Sequence, residues 1–117
     1  MKTLLSLAVG LGLGTLSSTL LAEPDGRALF EQYCTVCHDR GMEYPGTARL
    51  ADRWPQQPSL LDREPLEPDY VRRIVRHGLN MMPPFRPSEI SARELDALAR
   101  YLSTSAAQKN KIEDKEK

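Results

Sequence analysis

Apolar positions along the chain gather into three blocks with helical spacing, separated by proline-rich stretches. In the first block Leu29, Phe30 and Tyr33 share one face of a helix predicted over about residues 25–34. Asp25 suits the N-cap, because its carboxylate can accept from the free amides of the first turn. In the second, Tyr70, Val71, Ile74 and Val75 form one apolar stripe over about residues 68–77. Pro68 fits the first helical position, where no amide proton is needed, and Gly78 fits the residue that ends the helix. The third block has the sharpest start: Ser91 with Glu94 is a capping box, and Ile90 with Leu95 matches a hydrophobic staple. Leu95, Leu98, Ala99 and Leu102 continue its buried face. No stretch alternates with the two-residue period of a strand, so the predicted fold class is all-α.

The connecting segments are equally patterned. Residues 39–68 contain Gly41, Pro45, Gly46, Pro55, Pro58 and Pro65, so short turns near 47–52 and 59–61 are expected in place of continuous helix. So long an irregular stretch is acceptable where it wraps a bound group. Residues 79–88, with Pro83, Pro84 and Pro87, form a tight segment. Residues 1–22 read as a secretory signal peptide cut after Ala22: Lys2, an apolar run from Leu4 to Leu16, then Ser17, Ser18 and Thr19. An uncleaved membrane anchor is the weaker alternative, since glycines and polar residues interrupt the run. This division leaves one domain over residues 23–102 and a polar tail over residues 103–117 with the composition of a disordered end.

Charge and composition narrow the classes. The chain of 117 residues has 16 basic and 16 acidic residues; loss of Lys2 with the leader leaves 15 against 16, a net −1. Nucleic acid is therefore not an expected partner, since it calls for a clearly basic face. With one Trp, four Tyr and two Phe the core is small, and such a domain commonly needs a cofactor or a staple.

Both cysteines and one of the two histidines lie in Cys34-Thr35-Val36-Cys37-His38. This is the C-x-x-C-H pattern of covalent c-type haem attachment. The thiols add across the two vinyl groups, and the adjoining imidazole reaches the iron as proximal ligand. A thioredoxin-like pair competes, but it should follow a strand and open a helix, where the dipole lowers a thiol pKa. A zinc site would need further ligands, and only His77 is spare. Candidates for the sixth iron ligand are Met42, Met81, Met82 and His77. Met82 is preferred: it directly precedes Pro83-Pro84, whose restricted backbone presents the sulfur with little entropy loss. Trp54 and Arg63, in the long loop, are candidates for bonding a haem propionate; a half-buried aromatic and a surface arginine are their plainer readings. Arg72, Arg73 and Arg76, with Arg86 nearby, make a basic edge that reads as a solvated face before it reads as a docking patch.

Taken together, Cys34–His38, Met82-Pro83-Pro84-Phe85 and the final helix with Leu95, Leu98, Tyr101 and Leu102 resemble class I cytochrome c over residues 25–102. The resemblance implies one covalent haem c, three to four helices with a long loop around it, and His38 and Met82 as axial ligands. It implies that the end helices pack through Gly26 and Phe30 against Leu98 and Tyr101. It also implies a proline carbonyl accepting the proximal histidine's N–H, for which Pro45 is the candidate. The implied function is one-electron transfer by an exported, periplasmic, monomeric carrier that is not itself an enzyme. The stretch from Arg76 through Met82 to Pro87 is similar to small cytochrome subunits that accept electrons from flavin-dependent alcohol or phenol dehydrogenases. That implies a flavoprotein donor and a cytochrome or terminal oxidase as acceptor. Two other functions stay open: a catalytic or gas-binding haem protein with a labile sixth ligand, and a thiol–disulfide exchange protein.

Overall fold

The computed structural model describes residues 22–104 and 106–115, so all of the leader but Ala22 lies outside the described residues. Among the described residues the chain forms six helices and no strand, in agreement with an all-α cytochrome c fold. Helix α1 (Gly26–Tyr33) begins where the Asp25 carboxylate accepts from the Arg27 amide at 2.9 Å. After Cys34, α2 (Thr35–His38) adds a single turn. Then come α3 (Pro45–Ala51) and α4 (Pro68–His77), each opened by a proline. Both halves of the capping box open α5 (Ala92–Leu102): Ser91 Oγ accepts from the Glu94 amide, and the Glu94 carboxylate accepts from the Ser91 amide at 2.7 Å. Last is α6 (Ala106–Asp114).

Helices α2, α3 and α6 are additional to the three predicted from the apolar blocks, so six stand where three to four were expected. The turn at α2 lies inside the cysteine motif. Helix α3 starts at Pro45, because a proline that breaks a helix interior is tolerated at its first position. Helix α6 occupies the stretch expected to be a disordered tail; polar bonds from Lys109 and Arg40 dock it, although its sequence has no apolar stripe.

The core lies where α1 and α4 both pack on α5. Gly26 permits the close approach of α1, since a Cβ there would lie 2.7 Å from Tyr101 Cβ. One turn on, the rings of Phe30 and Tyr101 meet with centroids 6.1 Å apart and tilted by 53°. Phe30, Ile90 and Leu98 are fully enclosed, and burial of such side chains stabilises by roughly 1.5–3 kcal/mol each. Val71 and Val75 bring α4 onto the same cluster, and Leu61 adds the loop. That loop is pinned along its length. Thr47 Oγ1 donates to Asp39 O at 2.7 Å, the Leu66 amide donates to Leu102 O at 3.3 Å, and Ser103 Oγ donates to Leu66 O at 2.6 Å. No helix among the described residues is long and apolar enough to cross a membrane.

Candidate functional site

The cysteine motif is a continuation of α1 by one turn. The Cys34 amide donates to Phe30 O at 2.8 Å, and the amides of Cys37 and His38 donate in turn to Cys34 O at 3.1 and 2.8 Å. The two thiols are free and partly buried. Burial pushes the Cys34 thiol up to about 12, with nearby Cys37 as a smaller cause. Thiol–disulfide exchange needs a thiolate, so such a thiol is ill suited to it. No group of three or more metal-ligating His, Cys, Asp or Glu side chains occurs among the described residues, which gives the zinc reading no support.

His38 is half-buried, and burial holds its imidazole below the usual histidine range. The neutral ring is the form that binds a metal. Its Nδ1–Cε1 edge lies against the start of α3: a Cβ on Gly46 would be 2.6 Å from His38 Cε1 and from Cys37 O, and 2.8 Å from Nδ1. Pro45 is therefore brought beside the ring, yet Nδ1 is buried with no hydrogen-bond partner, so the expected bond to the Pro45 carbonyl is not made. As residue one of α3, Pro45 faces its carbonyl along the helix, where the following turn competes for it.

Of the sixth-ligand candidates, Met82 is half-buried against the core cluster. Met81 is 83 % exposed, Met42 is 60 % exposed, and His77 is exposed at the end of α4. The turn that carries Met82 is closed by two backbone bonds with Leu79: the Met82 amide donates at 2.9 Å and its carbonyl accepts at 3.1 Å. Two residues of positive φ make this possible, Gly78 at 72° and Asn80 at 54°. Any side chain at 78 would also meet Met82 O at 2.5 Å. Cys34 and Met82 border one core cluster, and the ring of Tyr33, the residue before Cys34, stands edge-on to Phe85 at 5.9 Å. This contact ties the cysteine turn to the Met82-Pro83-Pro84-Phe85 turn.

Arg76 supports the site in a way the sequence did not disclose. Its guanidinium donates to Phe85 O at 3.0 Å and to Ile90 O at 2.7 Å, while the Phe85 amide donates to Val75 O at 2.8 Å. The proline turn is thus hung on α4. Arg72 bonds Asp96 and Asp69, Arg73 lies over the Tyr70 ring, and Arg86 pairs with Glu89, so this basic edge is largely engaged within the domain. Trp54 and Arg63 are brought together: the guanidinium sits 4.1 Å from the indole centroid, and burial lowers its pKa, partly offset by Tyr70. Their contact is a cation–π pair, with Arg53 at 5.5 Å on the same ring.

Two free thiols in one turn, a half-buried imidazole and a half-buried methionine ahead of a Pro-Pro pair thus border one side of the core. The protein class this defines is the small monohaem class I c-type cytochrome. Residues 22–102 match the family described as cytochrome c oxidase, cbb3-type, subunit III, and the chain belongs to that c-type cytochrome family. No curated protein and no solved structure matches the chain. Membership makes the cofactor one covalently bound haem c, and makes the chain a haem c electron-transfer protein with redox-protein partners.

Proposed function

We propose that the chain is an exported one-electron carrier whose haem is attached through Cys34 and Cys37 and ligated axially by His38 and Met82. The contrast between half-buried Met82 and the exposed alternatives Met81 and Met42 carries this reading. When bound, haem c supplies Fe(II)/Fe(III) chemistry, and methionine sulfur favours the reduced state and raises the potential. The chain contributes the rest: Gly46 orients the imidazole, Arg76 steadies the turn that presents the sulfur, and apolar packing excludes water. With both axial positions filled, no substrate chemistry is expected of the domain alone.

Replacing Met82 by Ala is expected to abolish the iron–sulfur charge-transfer band of the oxidised protein, whereas Met81→Ala leaves it in place. Persistence of the band in Met82→Ala would overturn the assignment. High-spin iron or ready carbon monoxide binding at neutral pH in the unmodified protein would instead favour the gas-binding alternative. The donor in this reading is a flavin-dependent dehydrogenase and the acceptor a cytochrome or terminal oxidase, reached by weak, transient docking. The exposed apolar side chains of Val36, Leu79 and Met81, beside the two ligand segments in sequence, are suited to such contacts. The periplasm is the proposed compartment, because covalent haem attachment is carried out after export. Amino-terminal sequencing of the haem-stained protein should begin at Glu23; a sequence beginning at Met1 would refute cleavage.

A further inference from the structure

Among the described residues of α6 the buried side chain is a lysine. Lys109 is 0 % exposed, and its Nζ donates to the carbonyls of Leu60 at 3.0 Å and Arg63 at 3.4 Å. A buried ammonium is costly unless it is bonded, and burial holds this one below the usual lysine range. The charged groups that face it are Asp62, Arg40 and Glu64. The rest of the docking is polar as well: Arg40 bonds Asp62 at 2.9 Å on the loop, and Glu113 at 3.2 Å and Asn110 at 2.8 Å on α6. Lysine thus grips the same short loop segment that ends in Arg63, the residue stacked over Trp54.

We propose that Lys109 is a positioning residue for the haem site: through it α6 clamps residues 60–63, fixes Arg63 over Trp54, and so sets the reduction potential. This rests on the reading that the long loop wraps the haem with Arg63 near a propionate. A guanidinium held at a fixed distance from a propionate changes the stability of the oxidised iron relative to the reduced, and a loosened one is screened by water. Because α6 is docked by polar bonds with little apolar burial, it opens more readily than the α1–α4–α5 core.

The test uses the haem-loaded full chain, with hydrogen exchange of residues 60–63 and 106–114 and the midpoint potential as readouts. Lys109→Met keeps the length of the stem and removes the bonds. Exchange in both segments is expected to quicken by about tenfold or more, the loss of a charged hydrogen-bond pair. The potential is expected to shift in the same direction as in Arg63→Gln. Should Lys109→Met fail to accumulate, Glu113→Gln opens the same clamp from its outer side and must loosen the same segments. Exchange of α6 at free-peptide rates in the unmodified protein overturns the proposal. So does an unmoved potential in the loosened variant while Arg63→Gln shifts it, which faults the clamp alone. An unmoved potential in Arg63→Gln faults the propionate reading, and the clamp's effect falls with it.

Discussion

At the scale of single residues, Gly46 and His38 carry the tightest constraint. The glycine lies against the Nδ1–Cε1 edge of the imidazole, and a methyl group there would fall 2.6 Å from both His38 Cε1 and Cys37 O. Gly46→Ala is therefore expected to destabilise the haem-loaded protein by about 1–3 kcal/mol, the range for overpacking a well-fitted site. Chemical denaturation followed through the haem absorbance measures it, and an unchanged midpoint would show that the ring is not so confined. Cys34, Cys37 and His38 stand out in the sequence because the five-residue motif is contiguous. Contacts made across the fold were not: nothing in the Arg76 side chain or its neighbours signals that it will bond the carbonyls of Phe85 and Ile90, nine and fourteen residues away. A basic residue on a helix reads as solvated until the partner backbone is in place. For Pro45 the placement beside His38 was foreseen, but the hydrogen bond was not realised, because the residue opens a helix instead of an irregular turn.

At the scale of elements, start signals proved the most readable. The capping box predicted at Ser91 and Glu94 is complete, and α4 has the predicted bounds, because caps and apolar stripes act within a few residues. Ser91→Ala should cost about 1 kcal/mol of unfolding free energy. The same cap gives a pH dependence. Bonds to the hydroxyl and amide of Ser91 hold the Glu94 carboxyl below its ordinary value of 4.5, and the Arg86 amide and guanidinium do the same for Glu89. A carboxyl depressed in the folded state stabilises at pH above its unfolded value, and that share is lost as pH falls through the folded value. Stability is thus expected to decline below about pH 4.5, and the decline should be shallower in Glu94→Gln, which keeps the bond and loses the titration; parallel curves would exclude this origin. Helices α3 and α6 were missed for a different reason. Neither has an apolar stripe of its own, and each is held by bonds to residues outside the helix, Thr47 to Asp39 in one case and Lys109 to the loop in the other.

At the scale of the whole molecule, a small set of buried apolar side chains around Phe30, Ile90 and Leu98 must support a chain with a long loop. A domain of this size commonly depends on a covalent staple or cofactor. The double substitution Cys34→Ser with Cys37→Ser is therefore expected to yield a protein without a cooperative thermal transition, followed by circular dichroism; a sharp melt at the unmodified temperature would mean the apolar core suffices alone. Sequence by itself determined the helical class, the three main helices and the C-x-x-C-H motif. Those features depend on local propensity, on spacing along one helix face, or on a motif whose parts are contiguous. Tertiary structure alone decided which methionine is sheltered, where Arg76 and Lys109 spend their hydrogen bonds, and that Trp54 and Arg63 pair with each other. Burial and partner choice depend on what the rest of the chain brings alongside, and no spacing rule encodes that.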